Sequence, residues 1–125
     1  MPLTVKDMMA AARAAVPAIA PQEAAQLAQS GKALIVDVRD GTEVQASGKV
    51  KGALHVSRGL LEFKADPESP MYEPKFQTDK TIVLYCASGG RSALAGKTLK
   101  DMGYGDVRNL GGFQDWAASG GAVEK

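Results

Sequence analysis

The stretch that most restricts the fold of this chain is the apolar run at residues 33–38. Only Asp37 interrupts it, and the run is too continuous for a strand that buries one face and exposes the other. Such a run is typical of a central parallel strand that is covered on both faces. In sheets of this type, ligands bind beyond the carboxyl ends of the strands, so the residues after each strand are the first candidates for a site.

Shorter runs and turn signals place the remaining elements. Helices are predicted from Thr4 through Ala15 and over 21–29, 92–102 and 113–118, with a helical turn around 43–46. Strands are predicted over 54–56, 81–85 and 106–110, with a brief strand at 18–19, a turn at 111–112 and a long crossover at 57–80. Alternating strands and helices of these lengths predict an α/β fold with a mainly parallel central sheet of about four or five strands, flanked by helices.

The first predicted helix carries a stripe of apolar residues. They recur at three-to-four residue spacing and are Val5, Met8, Met9, Ala12 and Val16. This spacing predicts one buried face, and it places both methionines in the core rather than in a site.

The whole-chain composition narrows the class of protein. A length of 125 residues, with 45% hydrophobic and 23% charged residues and a net charge of +1, is typical of one soluble globular domain. We expect no nucleic-acid partner, because basic residues are not in excess, and no membrane partner, because no long apolar window lacks charge. One cysteine excludes an internal disulfide, and together with a single histidine it cannot supply a usual zinc site, so we expect no metal and no cofactor. A lone thiol without a secretory signal suits a reducing, cytoplasmic setting.

The only cysteine follows the strand predicted at 81–85 and opens a loop of small residues. The loop runs Cys86, Ala87, Ser88, Gly89, Gly90, Arg91, Ser92. Its adjacent glycines let successive backbone N–H groups point into one concavity, to which the next helix adds its unpaired first-turn donors. This pattern predicts an anion cradle with Cys86 at its base and Arg91 on its rim. A thiol at a helix N-terminus beside an arginine is biased toward thiolate, which makes Cys86 a candidate nucleophile.

Several stretches, in order along the chain, resemble the single-domain rhodaneses, a family of sulfurtransferases. They are Asp37-Val38-Arg39 with Glu43, Gly52-Ala53, the loop at 86–92, and Gly111-Gly112-Phe113 with Trp116. The resemblance spans about residues 19–121 and implies a single three-layer rhodanese-like domain over residues 1–125, in which 1–18 form an N-terminal helical extension. The chain departs from the family at 48–53, where members often have Gly-His-Ile-Pro-Gly-Ala, and in its first helix and long crossover.

The resemblance implies that a sulfane sulfur is transferred through a persulfide on Cys86. The donor would be thiosulfate or a similar small anion, and the acceptor a thiol, cyanide or an acceptor protein. Backbone N–H groups of the loop would stabilise the anionic persulfide, and Arg91 would orient the donor. Substrate binding is thereby assigned to Ala87, Ser88, Gly89, Gly90, Arg91 and Ser92.

Two other classes of function remain open from the sequence. Related cysteine-dependent phosphatases, including a rhodanese-like cell-cycle branch, have five residues between cysteine and arginine, whereas this chain has four. The shorter loop favours sulfur transfer over phosphoester hydrolysis or arsenate reduction. Non-catalytic rhodanese-like binding or sensor domains commonly lack the cysteine, and its presence here together with Arg91 favours an enzyme.

A few polar residues outside the loop are candidates for supporting roles, namely Asp37, Arg39, Arg58 and His55. Asp37 and Arg39 end the central strand, and Arg39 is predicted to pair with Glu43, four residues further on. Arg58 either adds positive charge at the mouth of the site or lies in solvent. His55 lies within a short apolar strand and is predicted to be structural rather than catalytic.

Overall fold

The computed structural model describes residues 2–125, which contain six helices, six strands and one 3₁₀ turn. The helices are α1 (Val5–Ala15), α2 (Pro21–Gln29), α3 (Gly41–Ser47), α4 (Leu61–Ala65), α5 (Gly90–Asp101) and α6 (Phe113–Ala118). The strands are β1 (Ala33–Asp37), β2 (Lys49–Val50), β3 (Leu54–His55), β4 (Thr81–Cys86), β5 (Val107–Gly112) and β6 (Val123–Glu124). The 3₁₀ turn is Arg58–Leu60.

Four strands form one parallel sheet in the order β3-β1-β4-β5. Within it, Val36 of β1 lies opposite Leu54 on one side and Leu84 on the other. Side chains of β1 and β4 alternate between two hydrophobic clusters, with Val36 and Leu84 in one and Ile35 and Val83 in the other. The predicted α/β fold is therefore confirmed, and so is the burial of the central strand on both faces.

Two of the three two-residue strands form a separate antiparallel pair, in which Lys49 of β2 lies opposite Glu124 of β6. β2 and β6 are too short to show periodicity, and no strand is predicted from the sequence at either position. The pair holds the C-terminal segment close to α6, where the indole N–H of Trp116 donates to the carbonyl of Ala122 at 2.9 Å. Trp116 is buried in the core.

Helix α1 begins as predicted, after Thr4, whose hydroxyl accepts a backbone hydrogen bond from the first turn. Its buried face is narrower than predicted. Ala12 and Val16 are buried, whereas Val5 is 65% exposed and Met8 is 37% exposed. Because α5 is the main neighbour of this helix, α1 buries a narrow stripe, and the prediction of a core position for Met8 is wrong.

The crossover at 57–80 is packed along much of its length. Phe76 is fully buried, and its carbonyl accepts a hydrogen bond from the Tyr72 hydroxyl. The Tyr104 hydroxyl donates to the carbonyl of Ala65 at 2.6 Å and joins the end of α4 to the segment after α5. These contacts anchor a connection for which the sequence indicates little regular structure.

Candidate active site

Residues 86–92, which we call the cysteine loop, lie at the carboxyl edge of the central sheet. Cys86 is the last residue of β4 and is 1% exposed. Gly89 has a φ of +101°, a left-handed conformation that favours glycine, and it is the N-cap of α5. The helix therefore begins at Gly90, two residues earlier than predicted, and places Arg91 and Ser92 in its first turn.

Two hydrogen-bond donors point at the sulfur of Cys86. The backbone N–H of Gly89 donates to it at 3.0 Å and the hydroxyl of Ser92 at 3.5 Å. Burial raises the pKa of the Cys86 thiol, but the Ser92 hydroxyl and the nearby backbone N–H groups of Ser92, Gly89 and Ser88 lower it by more. The net pKa lies below the ordinary value, so the local geometry favours the thiolate.

Replacing Ser92 by alanine should raise the pKa of Cys86, because the thiolate loses a donor while it stays buried. Since the chain has one cysteine, the rate of alkylation by iodoacetamide as a function of pH reports the ionisation of Cys86 alone. Ser30→Ala is a matched control, because the Ser30 hydroxyl donates only to a carbonyl at the exposed end of α2. Superimposable profiles for Ser92→Ala and the wild type would contradict a bond from Ser92 to the sulfur.

Asn109 on β5 holds both donors in place. Its side-chain N–H donates to the carbonyl of Gly89 at 3.2 Å, and its Oδ1 lies 2.8 Å from the Ser92 hydroxyl. That hydroxyl has one proton, for which Oδ1 and the Cys86 sulfur compete. Oδ1 also accepts the backbone N–H of Gly111 at 2.9 Å. Asn109 is not among the site residues predicted from the sequence, although a polar residue within a predicted strand, two positions before a pair of glycines, is a signal that could have identified it.

Arg91 projects from the first turn of α5 and pairs with Glu43 of α3. Its Nη1 lies 2.6 Å from Glu43 Oε1 and its Nη2 lies 3.0 Å from Oε2. The two side chains are 37% and 33% exposed, respectively. The bond to Arg91 is the largest influence on Glu43 and outweighs partial burial, so that the pKa of Glu43 is lowered to about 2.

The predicted pair between Arg39 and Glu43 is wrong, because Arg39 binds Asp37 instead. Two nitrogens of the buried Arg39 guanidinium contact the Asp37 carboxylate at 2.7–3.1 Å. The same carboxylate accepts the Tyr85 hydroxyl at 2.7 Å, and the Arg39 guanidinium lies 4.4 Å from the centre of the Phe113 ring. Asp37 and Arg39 thus contact Tyr85, which precedes Cys86, rather than the sulfur itself.

A family model for the rhodanese-like domain matches residues 20–119 of the chain. The chain belongs to the rhodanese family. A relative from Homo sapiens, a thiosulfate:glutathione sulfurtransferase, is 28% identical over 110 residues, which cover 82% of this chain and 95% of that protein. The family and this relative connect the fold with sulfur transfer.

Two solved structures resemble this rhodanese over nearly its whole length. A protein of unknown function from Rhodopseudomonas palustris, described as a possible tyrosine phosphatase, is 42% identical with a TM-score of 0.87, and 99% of each chain is covered. The polysulfide-sulfur transferase homodimer from Wolinella succinogenes is 33% identical with a TM-score of 0.76. That match covers 95% of this chain and 85% of the other.

The two glycines that end β5 lie against the rhodanese cysteine loop. They are strand residues and not the predicted turn. Gly111 has a φ of +99°. A Cβ on Gly112 would lie 2.5 Å from the carbonyl oxygen of Ala87. The pair therefore lets β5 approach the cysteine loop more closely than residues with side chains would allow.

Arg58 and His55 hydrogen-bond to residues outside the cysteine loop. Arg58 pairs with Glu62 at 3.0 Å and donates to the Thr98 hydroxyl on α5 at 3.2 Å. A ring nitrogen of His55 lies 2.7 Å from the carbonyl oxygen of Arg39, a contact that suits a structural residue. Neither side chain hydrogen-bonds to the cysteine loop.

Residues 2–125 hold no cluster of three or more histidine, cysteine, aspartate or glutamate side chains arranged to bind a metal ion. Over the same described range, no helix has the length and apolar character needed to cross a membrane.

Proposed function

We propose that this rhodanese is a sulfurtransferase that carries a sulfane sulfur as a persulfide on Cys86. The observation that carries the proposal is the Cys86 sulfur at the base of the loop, where Gly89 and Ser92 donate to it. Thiosulfate or a similar sulfane donor would supply the sulfur, and a thiol, cyanide or an acceptor protein would take it. Because the reacting thiol must stay reduced, the activity suits a reducing compartment such as the cytoplasm.

In the first step, the Cys86 thiolate attacks the outer sulfur of thiosulfate. A sulfur–sulfur bond forms to Cys86, the bond inside thiosulfate breaks, and sulfite leaves with the electron pair. The negative charge is then on the outer sulfur of the persulfide, bonded to the Sγ atom that the Gly89 N–H contacts, and backbone N–H groups of the cysteine loop would stabilise it. In the second step, an acceptor thiolate or cyanide attacks the outer sulfur and the Cys86 thiolate leaves, which restores the enzyme.

The test of the proposal is intact-mass spectrometry after incubation with thiosulfate, combined with an assay of thiocyanate formation from cyanide. The wild type should gain one sulfur atom that cyanide removes, and it should produce thiocyanate catalytically. Cys86→Ser should do neither. Equal thiocyanate production by both proteins would contradict the role of Cys86.

A phosphatase is the second candidate, favoured by the description of the protein from Rhodopseudomonas palustris. The four residues between Cys86 and Arg91 count against it, because the related phosphatases use five to surround a phosphate. Hydrolysis of a generic aryl phosphate by the wild type, lost in Cys86→Ser, would favour the phosphatase over the transferase.

A further inference from the structure

The hydroxyl of Ser92 has one proton and two acceptors within reach. Its Oγ lies 2.8 Å from Asn109 Oδ1 and 3.5 Å from the sulfur of Cys86. Because Ser92 is fully buried, bulk water does not compete for this proton. Both acceptors are reached from one position of the oxygen, so a rotation of the hydroxyl about its C–O bond is enough to move the proton from one acceptor to the other.

The amide of Asn109 can only accept from Ser92, because its orientation is fixed by two other bonds. Its Oδ1 accepts the backbone N–H of Gly111 at 2.9 Å, and its side-chain N–H donates to the carbonyl of Gly89 at 3.2 Å. A flip of the amide would place donor against donor and acceptor against acceptor. An oxygen therefore faces the Ser92 hydroxyl and competes with the sulfur for its proton.

The charge of the sulfur decides this competition. A thiol sulfur is a weak acceptor, whereas a thiolate accepts a charge-assisted bond, which is roughly twice as strong as a neutral one. We propose that Asn109 is a positioning residue that holds the proton of the Ser92 hydroxyl while the Cys86 sulfur is uncharged and yields it to the sulfur when Cys86 is a thiolate. The part of this exchange in catalysis rests on the proposed sulfurtransferase function.

In the proposed reaction the Ser92 hydroxyl turns twice in each cycle. When the Cys86 thiolate attacks the donor, a sulfur–sulfur bond forms and the negative charge leaves Sγ, so the hydroxyl turns to Asn109. When cyanide attacks the outer sulfur, a carbon–sulfur bond forms, the sulfur–sulfur bond breaks and Cys86 leaves with the electron pair. The hydroxyl then turns back to Sγ and stabilises the leaving thiolate. The proton stays on the Ser92 oxygen throughout.

Several charged side chains lie on the elements around the cysteine loop. They are Arg91, Glu43, Asp40, Asp115 and the buried pair of Asp37 and Arg39. The pKa of Arg91 is raised mainly by its bond to Glu43 and to a smaller extent by the charge of Cys86. All of these groups remain when Asn109 or Ser92 is replaced by a neutral side chain. A change in the pKa of Cys86 in such a variant therefore reports the hydroxyl and the shape of the loop.

The test is a double-mutant cycle of Asn109→Leu and Ser92→Ala, in which the pH dependence of alkylation by iodoacetamide gives the pKa of Cys86 as its midpoint. Leucine is close to asparagine in size and accepts no hydrogen bond. Without the amide oxygen the thiol form loses a bond while the thiolate keeps its donor, so the midpoint should fall. We expect the thiolate fraction well below the midpoint to rise about threefold. In the Ser92→Ala background, Asn109→Leu should not lower the midpoint.

A purely structural Asn109 predicts the opposite sign, because a loosened loop moves the donors away from the sulfur and raises the pKa of Cys86. Gln26→Leu is the matched control, because it replaces an exposed amide on α2. Asn109→Ala repeats the cycle with a smaller side chain, so that the result does not depend on how one variant folds.

Two outcomes would overturn the inference. One is that neither Asn109 variant lowers the midpoint more with the Ser92 hydroxyl present than without it. The other is a midpoint of Ser92→Ala equal to that of the wild type, which would leave the proton on Asn109 in both states of the sulfur. If the cycle behaves as expected but thiosulfate loads no sulfur onto Cys86, the sulfurtransferase function fails and the exchange of the proton between Asn109 and the sulfur stands.

Discussion

Replacing Asp37 by alanine should lower the free energy of unfolding by about 3–5 kcal/mol, because Arg39 would stay buried without its carboxylate. Asp37 is fully buried, and its carboxylate accepts bonds from Arg39 and from the Tyr85 hydroxyl, each at 2.7 Å at its shortest. Arg39 cannot avoid the cost of a buried, unpaired charge by losing its proton, because arginine stays charged in proteins. Since domains of this size have a total stability of about 5–15 kcal/mol, the variant would lose a large part of it.

Asp101→Ala is the matched control, because it removes the same side chain from a pair with a cation on the surface. Asp101 is 69% exposed and pairs with Lys97 along α5, an arrangement worth about 0.3–0.5 kcal/mol. Urea unfolding followed by circular dichroism measures both variants against the wild type. Similar losses in the two variants would contradict the importance of the buried pair.

The fold was predictable because its signals are local in the sequence. The run at 33–38 is long enough to require cover on both faces, and the structure buries it between two hydrophobic clusters. The cysteine loop was predictable for the same reason, because a strand, small residues and a helix start adjoin in one segment. In both cases, neighbouring residues alone carry the information.

The pairing of charges was not predictable, because it depends on which strands and helices become neighbours. Spacing along a helix favours a pair between Arg39 and Glu43, but Arg39 turns toward Asp37. Glu43 instead meets Arg91, which is 48 residues away in the sequence. Asn109 likewise gains its role only when β5 is placed beside β4. Supporting residues of this kind can be identified only from the tertiary structure.

Replacing Gly112 by alanine should slow sulfur transfer by on the order of 100-fold, because it displaces the cysteine loop. The new Cβ would lie 2.5 Å from the carbonyl oxygen of Ala87 and 3.3 Å from its carbonyl carbon. Gly112 has a φ of −104°, which alanine adopts readily, so the effect would come from this contact and not from backbone strain. Either β5 or the loop must move, and movement of the loop shifts the Gly89 N–H relative to the sulfur.

Gly105→Ala provides the control, because a Cβ there meets no atom within 4 Å and the residue lies outside the cysteine loop. Two measurements separate the site from the rest of the fold: thiocyanate formation, and the pH dependence of alkylation at Cys86. The pH dependence of alkylation reports on the surroundings of Cys86 even if the proposed sulfur transfer is wrong. Gly112→Ala should raise the pKa of Cys86 as its donors move away, whereas Gly105→Ala should match the wild type in both measurements. Wild-type behaviour of Gly112→Ala in both would show that the loop tolerates the contact and that its approach to β5 does not position the sulfur.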